Sequence, residues 1–334
     1  MPVDNQKRLR ETAMSSQSGP IGSAAPAHFI GCDVGMTSIV VFDDRTGQTR
    51  TIVNRPADLA RFAATLDDTC LALCEATGGH EKALLHALTQ AGRAAHRADT
   101  RKVKGFIRSY GILGKTDAID ARALAAYGRE RHAKLARWQA PDPEREQLQA
   151  LVLTRRDLIA DRQAYKNRLA APGAAAVKRQ LGQLIASFDE QIADLDREIA
   201  AMIGQHAGLA SDARAIRQIV GIGPTTAAAL LALLPELGRL NRRHIAALAG
   251  LAPHPHQSGK TDAYRRVRGG RPELKRVLFM AAMVAAKSNP TQRALYERLL
   301  QKGKKKLVAL TAVMRKLVVL CNALLRPNAT GLAA

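Results

Sequence analysis

Four acidic residues occupy settings that suit metal chemistry: Asp33 in FIGCDVG, Glu75 in LALCEATGG, and Asp117 with Asp120 in GKTDAIDARALA. Asp33 and Glu75 each close an apolar, strand-like run. Asp117 and Asp120 are spaced i, i+3, which puts both on one face of a helix. Carboxylates gathered at one place repel one another unless a cation neutralises them, and hard oxygen donors that leave room for water suit Mg²⁺, or Mn²⁺ in its place. A two-metal arrangement activates an attacking oxygen and stabilises a leaving one, which points to phosphodiester chemistry. Singly, each acid reads as readily as a turn or solvated helix residue; the set of four favours a metal.

A second group follows some 140 residues later: Ser258 in GLAPHPHQSGK, then Lys260, Arg265, Arg266 and Arg268. A hydroxyl here could attack phosphorus in line while the cations hold the phosphate; a plain Ser-Gly turn is the other reading. His254 and His256 read as loop residues before proton carriers. Upstream, Gly221 and Gly223 in IVGIGPTTAAALLALL form a tight turn before a helix opening at Pro224. Backbone amides at such a turn and helix N-terminus suit a phosphate, so a helix-hairpin-helix is expected.

These residues need elements to place them. His28 to Cys32, Ser38 to Phe42 and Thr49 to Val53 predict three antiparallel strands. A helix from Pro56, a strand from Thr69 to Cys74, a helix after Gly79, a strand at Ala94 to Ala98 and helices on either side of Gly111 to Gly114 follow. That order is the one expected of an α/β ribonuclease H-like domain. From Leu181 to Met202, apolar residues at alternating spacings of four and three make a heptad seam. With the helix from about Glu144 to Ala170 and the break at Pro172-Gly173, the seam predicts an antiparallel coiled-coil hairpin. Arg155 and Arg162 leave its first arm basic, either as a solvated face or as a track for a nucleic-acid backbone. The last block, about Ala213 to Leu325, reads as helical.

Composition sets the partners. Lys and Arg outnumber Asp and Glu by 51 to 29 in 334 residues, a net charge of +22, so a polyanion is expected. Cys32, Cys70, Cys74 and Cys321 match no zinc spacing and read as small apolar residues in a reducing compartment. No uninterrupted apolar run is long enough to span a bilayer. The polar first 27 residues read as a disordered tail on a cytoplasmic, nucleoid-associated bacterial protein, with no membrane partner.

CDVG, CEATGG, GKTDAIDARALA, GIGPTTAAALLALLPELG, AALAGLAPHPHQSGK, LKRVLFMAAMVAAKSNP and LYERLLQKGKKK, in this order, resemble the transposases of the insertion sequence 110 family, the RNA-guided bridge recombinases. The resemblance runs from about Phe29 to Leu325. It implies a tail over 1–27, a RuvC-like domain over 28–140, a coiled-coil domain over 141–208, a transposase domain with helix-hairpin-helix over 209–326 and a tail over 327–334. It also implies a D-E-D-D metal site of Asp33, Glu75, Asp117 and Asp120, and Ser258 as nucleophile. A noncoding bridge RNA would pair with donor and target double-stranded DNA, and dimers would assemble into a tetramer with composite sites. Two readings compete: a hydrolytic RuvC-like Holliday-junction nuclease using the same acids with water, and a non-catalytic nucleic-acid-binding scaffold. A sugar-kinase or actin-like ATPase shares the strand-DxG opening, but this sequence shows no second phosphate-binding loop of comparable form, and its basic C-terminal stretch has no use there.

Overall fold

The computed structural model describes residues 25–326 apart from 112, 113, 115, 259 and 260; the side chains of 255–265 are also outside the described set. Of the expected tails, residues 1–24 and 327–334 lie outside it. Two compact units emerge, one through Ala140 and the other from Pro141.

The first unit is built on a five-stranded sheet ordered β3-β2-β1-β4-β5. Its strands are β1 His28–Val34, β2 Ser38–Asp43, β3 Gln48–Val53, β4 Cys70–Glu75 and β5 Ala94–Ala98. β1 pairs antiparallel with β2 and parallel with β4, and β4 pairs parallel with β5. An antiparallel three-strand ribbon extended by parallel strands is the arrangement expected of a ribonuclease H-like domain. Helices α1 Pro56–Ala64 and α2 Glu81–Gln90 cover one face, packing Leu59, Phe62, Leu84 and Leu85 against Ile30, Cys32, Ala72 and Cys74. Helices α3 Thr100–Ser109 and α4 Asp117–Arg131 cover the other, packing Phe106, Leu124 and Tyr127 against Phe29, Leu71 and Leu73. Strand periodicity assigns the two faces, and because both are covered the central strands β1 and β4 are nearly continuous apolar runs. Each fully buried leucine, such as Leu59 or Leu84, contributes about 1.5–3 kcal/mol.

The second unit opens with the helical hairpin α5 Pro143–Leu169 and α6 Lys178–Gln205. Asp142 caps α5 by accepting from the Glu144 amide at 3.0 Å, and Gly173 takes the left-handed backbone (φ 85°) that the reversal requires. Burial along the seam deepens from half-buried Leu181, Ile185 and Phe188 to buried Ile192, Ile199 and Met202. Ile199, Met202 and Leu148 join the core of the C-terminal helices, so the hairpin base and those helices share one core. They are α7 Ala207–Arg217, α8 Pro224–Leu233, α9 Arg242–Leu248, α10 Pro272–Ser288, α11 Pro290–Gln301 and α12 Lys306–Leu324. By length and composition α12 could cross a membrane, but Arg315 and Lys316 interrupt it, and Val313, Leu317 and Cys321 are fully buried in that core.

The C-terminal block is helical as expected, but the Pro/His-rich segment read as a loop is corrected: it forms a two-stranded ribbon, β6 Pro253–Ser258 and β7 Thr261–Val267. Its sequence hides it because PHPHQS lacks the apolar alternation that marks a strand.

Candidate active site

Three of the four acids meet at one edge of the sheet. Cys32 of β1 is paired with Cys74 of β4, so Asp33 and Glu75 are the next residues along two adjacent parallel strands. Both follow the Phe29, Leu71 and Leu73 face, so both project toward the side occupied by α4. That helix lies directly on β1. A Cβ on Gly31 would stand 1.8 Å from the Ala121 carbonyl oxygen, and one on Gly128 would stand 2.5 Å from Leu73 Cδ1. Ala121 lies over the middle of β1 and Gly128 nearer its start, so α4 runs against the strand and delivers its N-terminus to the acids. Thr116 caps that N-terminus, its hydroxyl accepting from the Ile119 amide at 3.2 Å. Asp117 and Asp120 occupy the first turn.

The electrostatics record the convergence. Burial, then the Asp120 and Asp33 carboxylates, push the Glu75 carboxyl above its ordinary value, against the opposing Thr100 hydrogen bond and Lys104 charge. Asp120 is half-buried, whereas Asp117, a turn earlier, is exposed. Among the described residues no three Asp, Glu, His or Cys side chains already form a metal cage. The donor set nevertheless fits a divalent cation in kind: hard carboxylate oxygens from two adjacent strands and the first turn of α4, with Asp117 exposed on the solvent side.

Sequence reasoning missed the residues that shape the loop after Glu75. Glu81, fully buried, accepts from the Thr77 and Gly79 amides at 3.1 and 2.9 Å and from the Thr77 hydroxyl at 3.2 Å, and its other oxygen lies 2.9 Å from Arg97 Nε. Burial alone would raise its pKa, but the amide hydrogen bonds and Arg97 hold it below the usual glutamate range. In sequence it resembles any acid opening a helix. Asn54 is a second such residue: its Nδ2 donates to the Gly35 carbonyl at 2.9 Å and the His80 carbonyl at 3.3 Å.

The other candidates lie in the second unit. The Ser258 backbone ends β6 opposite Thr261, so Ser258 stands beside the reversal of the ribbon; its side chain, that of His256, that of Arg265 and all of Lys260 lie outside the described residues. The ribbon is pinched at its base, where a Cβ on Gly270 would stand 2.1 Å from the Gly250 nitrogen. His254 and Arg266 are exposed, paired across the ribbon, and Arg268 is exposed just beyond it. Arg266, Lys305 and Arg315 line a groove of about 730 Å³ with Leu251, Val267 and Val308.

Gly221 (φ 109°) is pressed on α10, with Ala285 Cβ 2.7 Å from where its own Cβ would be. The contact and the positive φ both require glycine there. Gly223 is the exposed residue capping α8 and leaves that N-terminus without a side-chain cap. Arg155 and Arg162 are engaged within the hairpin. Arg155 donates twice to Asp196, at 2.6 and 2.9 Å, and Arg162 bonds Asp189.

Comparison with known proteins places these features in company. An IS110-type DEDD transposase model matches residues 30–172, and the model described as "Transposase IS116/IS110/IS902 family" matches residues 213–297. The chain is 31% identical over 261 residues to the pilin gene-inverting protein of Moraxella lacunata, covering 77% of this chain and 80% of that protein. The pilin gene-inverting protein of Moraxella bovis is 31% identical over the same length, with the same coverage. An uncharacterized 43.6 kDa protein of insertion element IS110 from Streptomyces coelicolor is 28% identical over 235 residues, 69% of this chain and 53% of that protein.

Proposed function

Because the chain belongs to the IS110 family of transposases, we propose that it excises and inserts its own mobile element through a serine-linked DNA intermediate. Asp33, Glu75, Asp117 and Asp120 are the ligands of Mg²⁺, or of Mn²⁺ in its place. The observation that carries this reading is the placement of Asp33 and Glu75 at the ends of adjacent parallel strands beneath the first turn of α4, where burial and then the Asp120 and Asp33 charges hold the Glu75 carboxyl above its ordinary value. When bound, the ion supplies Lewis-acid stabilisation of the phosphate oxygens and of the attacking and leaving oxygens.

Ser258 is the nucleophile. Its hydroxyl loses its proton, its oxygen bonds to phosphorus, and the bond from phosphorus to the leaving 3′-oxygen breaks, that oxygen taking a proton. The 3′-hydroxyl of the exchanged partner then attacks the phosphoserine and expels Ser258. Each step exchanges one phosphate ester for another, so neither water nor ATP is consumed. Lys260, Arg265, Arg266 and Arg268, around the ribbon, hold the DNA backbone and balance the developing charge. Inversion of a gene segment, the activity named for the Moraxella relatives, needs the same cutting and exchange.

A noncoding bridge RNA supplies sequence specificity by pairing with donor and target DNA, leaving the protein to read shape and backbone. The α5–α6 hairpin contacts that RNA and joins subunits. Gly221 and Gly223, between α7 and α8, serve as a helix-hairpin-helix turn against a phosphate. The domains follow the boundaries implied by the resemblance, and a tetramer of paired dimers brings one subunit's acids to another's Ser258, in the bacterial cytoplasm at the nucleoid. The test is incubation with end-labelled donor DNA and Mg²⁺. Wild type forms a protein–DNA adduct, Ser258→Ala forms none, and Asp33→Ala and Asp120→Ala bind DNA without cutting. Normal cutting by Ser258→Ala would establish a hydrolytic nuclease, and unchanged processing by the acid variants would leave only a scaffold.

A further inference from the structure

One side chain ties together the two loops that follow the acid-bearing strands. Asn54 lies just past the end of β3, a strand that carries no candidate ligand. Its amide nitrogen donates both hydrogens: to the carbonyl of Gly35, two residues past Asp33, at 2.9 Å, and to that of His80, in the loop that follows Glu75, at 3.3 Å. Two carbonyl acceptors can be met only by the NH₂ end, so the orientation of the amide is decided by its partners. The backbone is held as well, since the Asn54 amide donates to the Thr37 carbonyl at 2.9 Å. Its Oδ1 is buried and finds no partner among the described residues. The orphaned oxygen is the cost of pointing both donors at the loops.

The two loops differ in what else fixes them. The loop from Glu75 to α2 has positive φ at Gly78 (72°) and Gly79 (111°), residues that retain most freedom in the unfolded chain, and is templated from inside by Glu81. The turn after Asp33 is closed by a hydrogen bond from the Gly35 amide to the Ser38 carbonyl at 2.9 Å. Ladder hydrogen bonds align β1 and β4 only as far as Cys32 and Cys74, one residue short of the acids. Beyond that point, Asn54 is a side-chain link across the gap.

We propose that Asn54 is a positioning residue that sets the spacing of Asp33 and Glu75 by clamping the segments behind them. The proposal rests on the reading of those acids as metal ligands. Groups that orient ligands without touching the metal are typically worth about 10–100-fold in metal affinity.

The test is Mn²⁺ binding to the full chain without DNA, followed by loss of the free-ion electron paramagnetic resonance signal. It is read at a temperature where circular dichroism shows every variant folded. Asn54→Leu keeps the shape without the donors; Asn54→Ser, a smaller change, is measured beside it and decides the matter if the leucine variant does not fold. Both are expected to bind Mn²⁺ about 10–100-fold more weakly than wild type, with Asp33→Asn as the control for a lost ligand. A purely structural role leaves the affinity of a folded variant unmoved. If Asp33→Asn loses affinity while folded Asn54 variants bind like wild type, the positioning role is overturned and the metal site stands. If wild type and Asp33→Asn bind Mn²⁺ equally poorly, the metal reading fails and takes the clamp with it.

Discussion

Gly31 of β1 and Ala121 of α4 meet backbone to backbone, so closely that a Cβ on Gly31 would lie 1.8 Å from the Ala121 carbonyl oxygen. The contact lets the helix lie flat on the strand, and Asp33 stands two residues beyond Gly31 while Asp120 immediately precedes Ala121. Gly31→Ala must lift the helix or break the strand. The expected loss is about 1–3 kcal/mol or more of folding stability, with loss of DNA cutting even where the protein still folds. Urea unfolding beside a cleavage assay measures both; a variant with wild-type stability and activity would refute the close packing.

Glu75 gives a pH dependence with a definite sign. Its folded pKa lies above the ordinary 4.5, so as pH rises the unfolded chain loses this proton first. Between the two values the folded state holds more protons, and stability falls with rising pH. Its contribution is therefore most favourable below 4.5, and the penalty is complete above the folded pKa. Asp43 and Glu81, both shifted down, contribute the opposite slope, so the measurement is the difference in melting temperature between wild type and Glu75→Gln across pH in the absence of metal. Wild type should lose ground to the glutamine variant as pH rises, and Mg²⁺ should restore it.

The ribbon carrying Ser258 depends on its pinched base. Gly270 has φ 69° and no room for a Cβ beside the Gly250 backbone. Gly270→Ala should cost about 1–3 kcal/mol and reduce the yield of protein–DNA adduct. An adduct yield equal to wild type would show that the ribbon tolerates a displaced base.

Asp196 takes the Nε–Nη2 edge of Arg155, the edge that a phosphate would grip with two hydrogen bonds. Asp196→Ala releases it, and the expected result is tighter RNA binding with the salt slope steeper by about one. The hairpin should lose about 0.2–1 kcal/mol. An unchanged slope in a salt titration would assign Arg155 to the hairpin alone.

Much of the first unit was legible because its signals are local. Short continuous apolar runs marked β1 and β4, proline and glycine marked helix starts and stops, and the i, i+3 spacing of Asp117 and Asp120 needed only helical geometry. The heptad seam of α6 was legible for the same reason, although its burial is uneven: it is half-buried at Leu181, Ile185 and Phe188 and buried at Ile192, Ile199 and Met202. The β6–β7 ribbon was illegible because PHPHQS carries no apolar alternation and two prolines that argue against a strand.

By itself, then, the sequence determined most of the elements, the basic charge and the four acids as candidates, since propensity, periodicity and composition act over a few residues. Tertiary structure alone decided which groups meet. Strand register placed Asp33 beside Glu75, the missing Cβ of Gly31 brought Asp120 to them, and Asp196 and Asp189 claimed Arg155 and Arg162. Asn54 and Glu81 became visible only there as well, because a side chain's hydrogen-bond partners depend on how distant segments pack, and no local pattern records that.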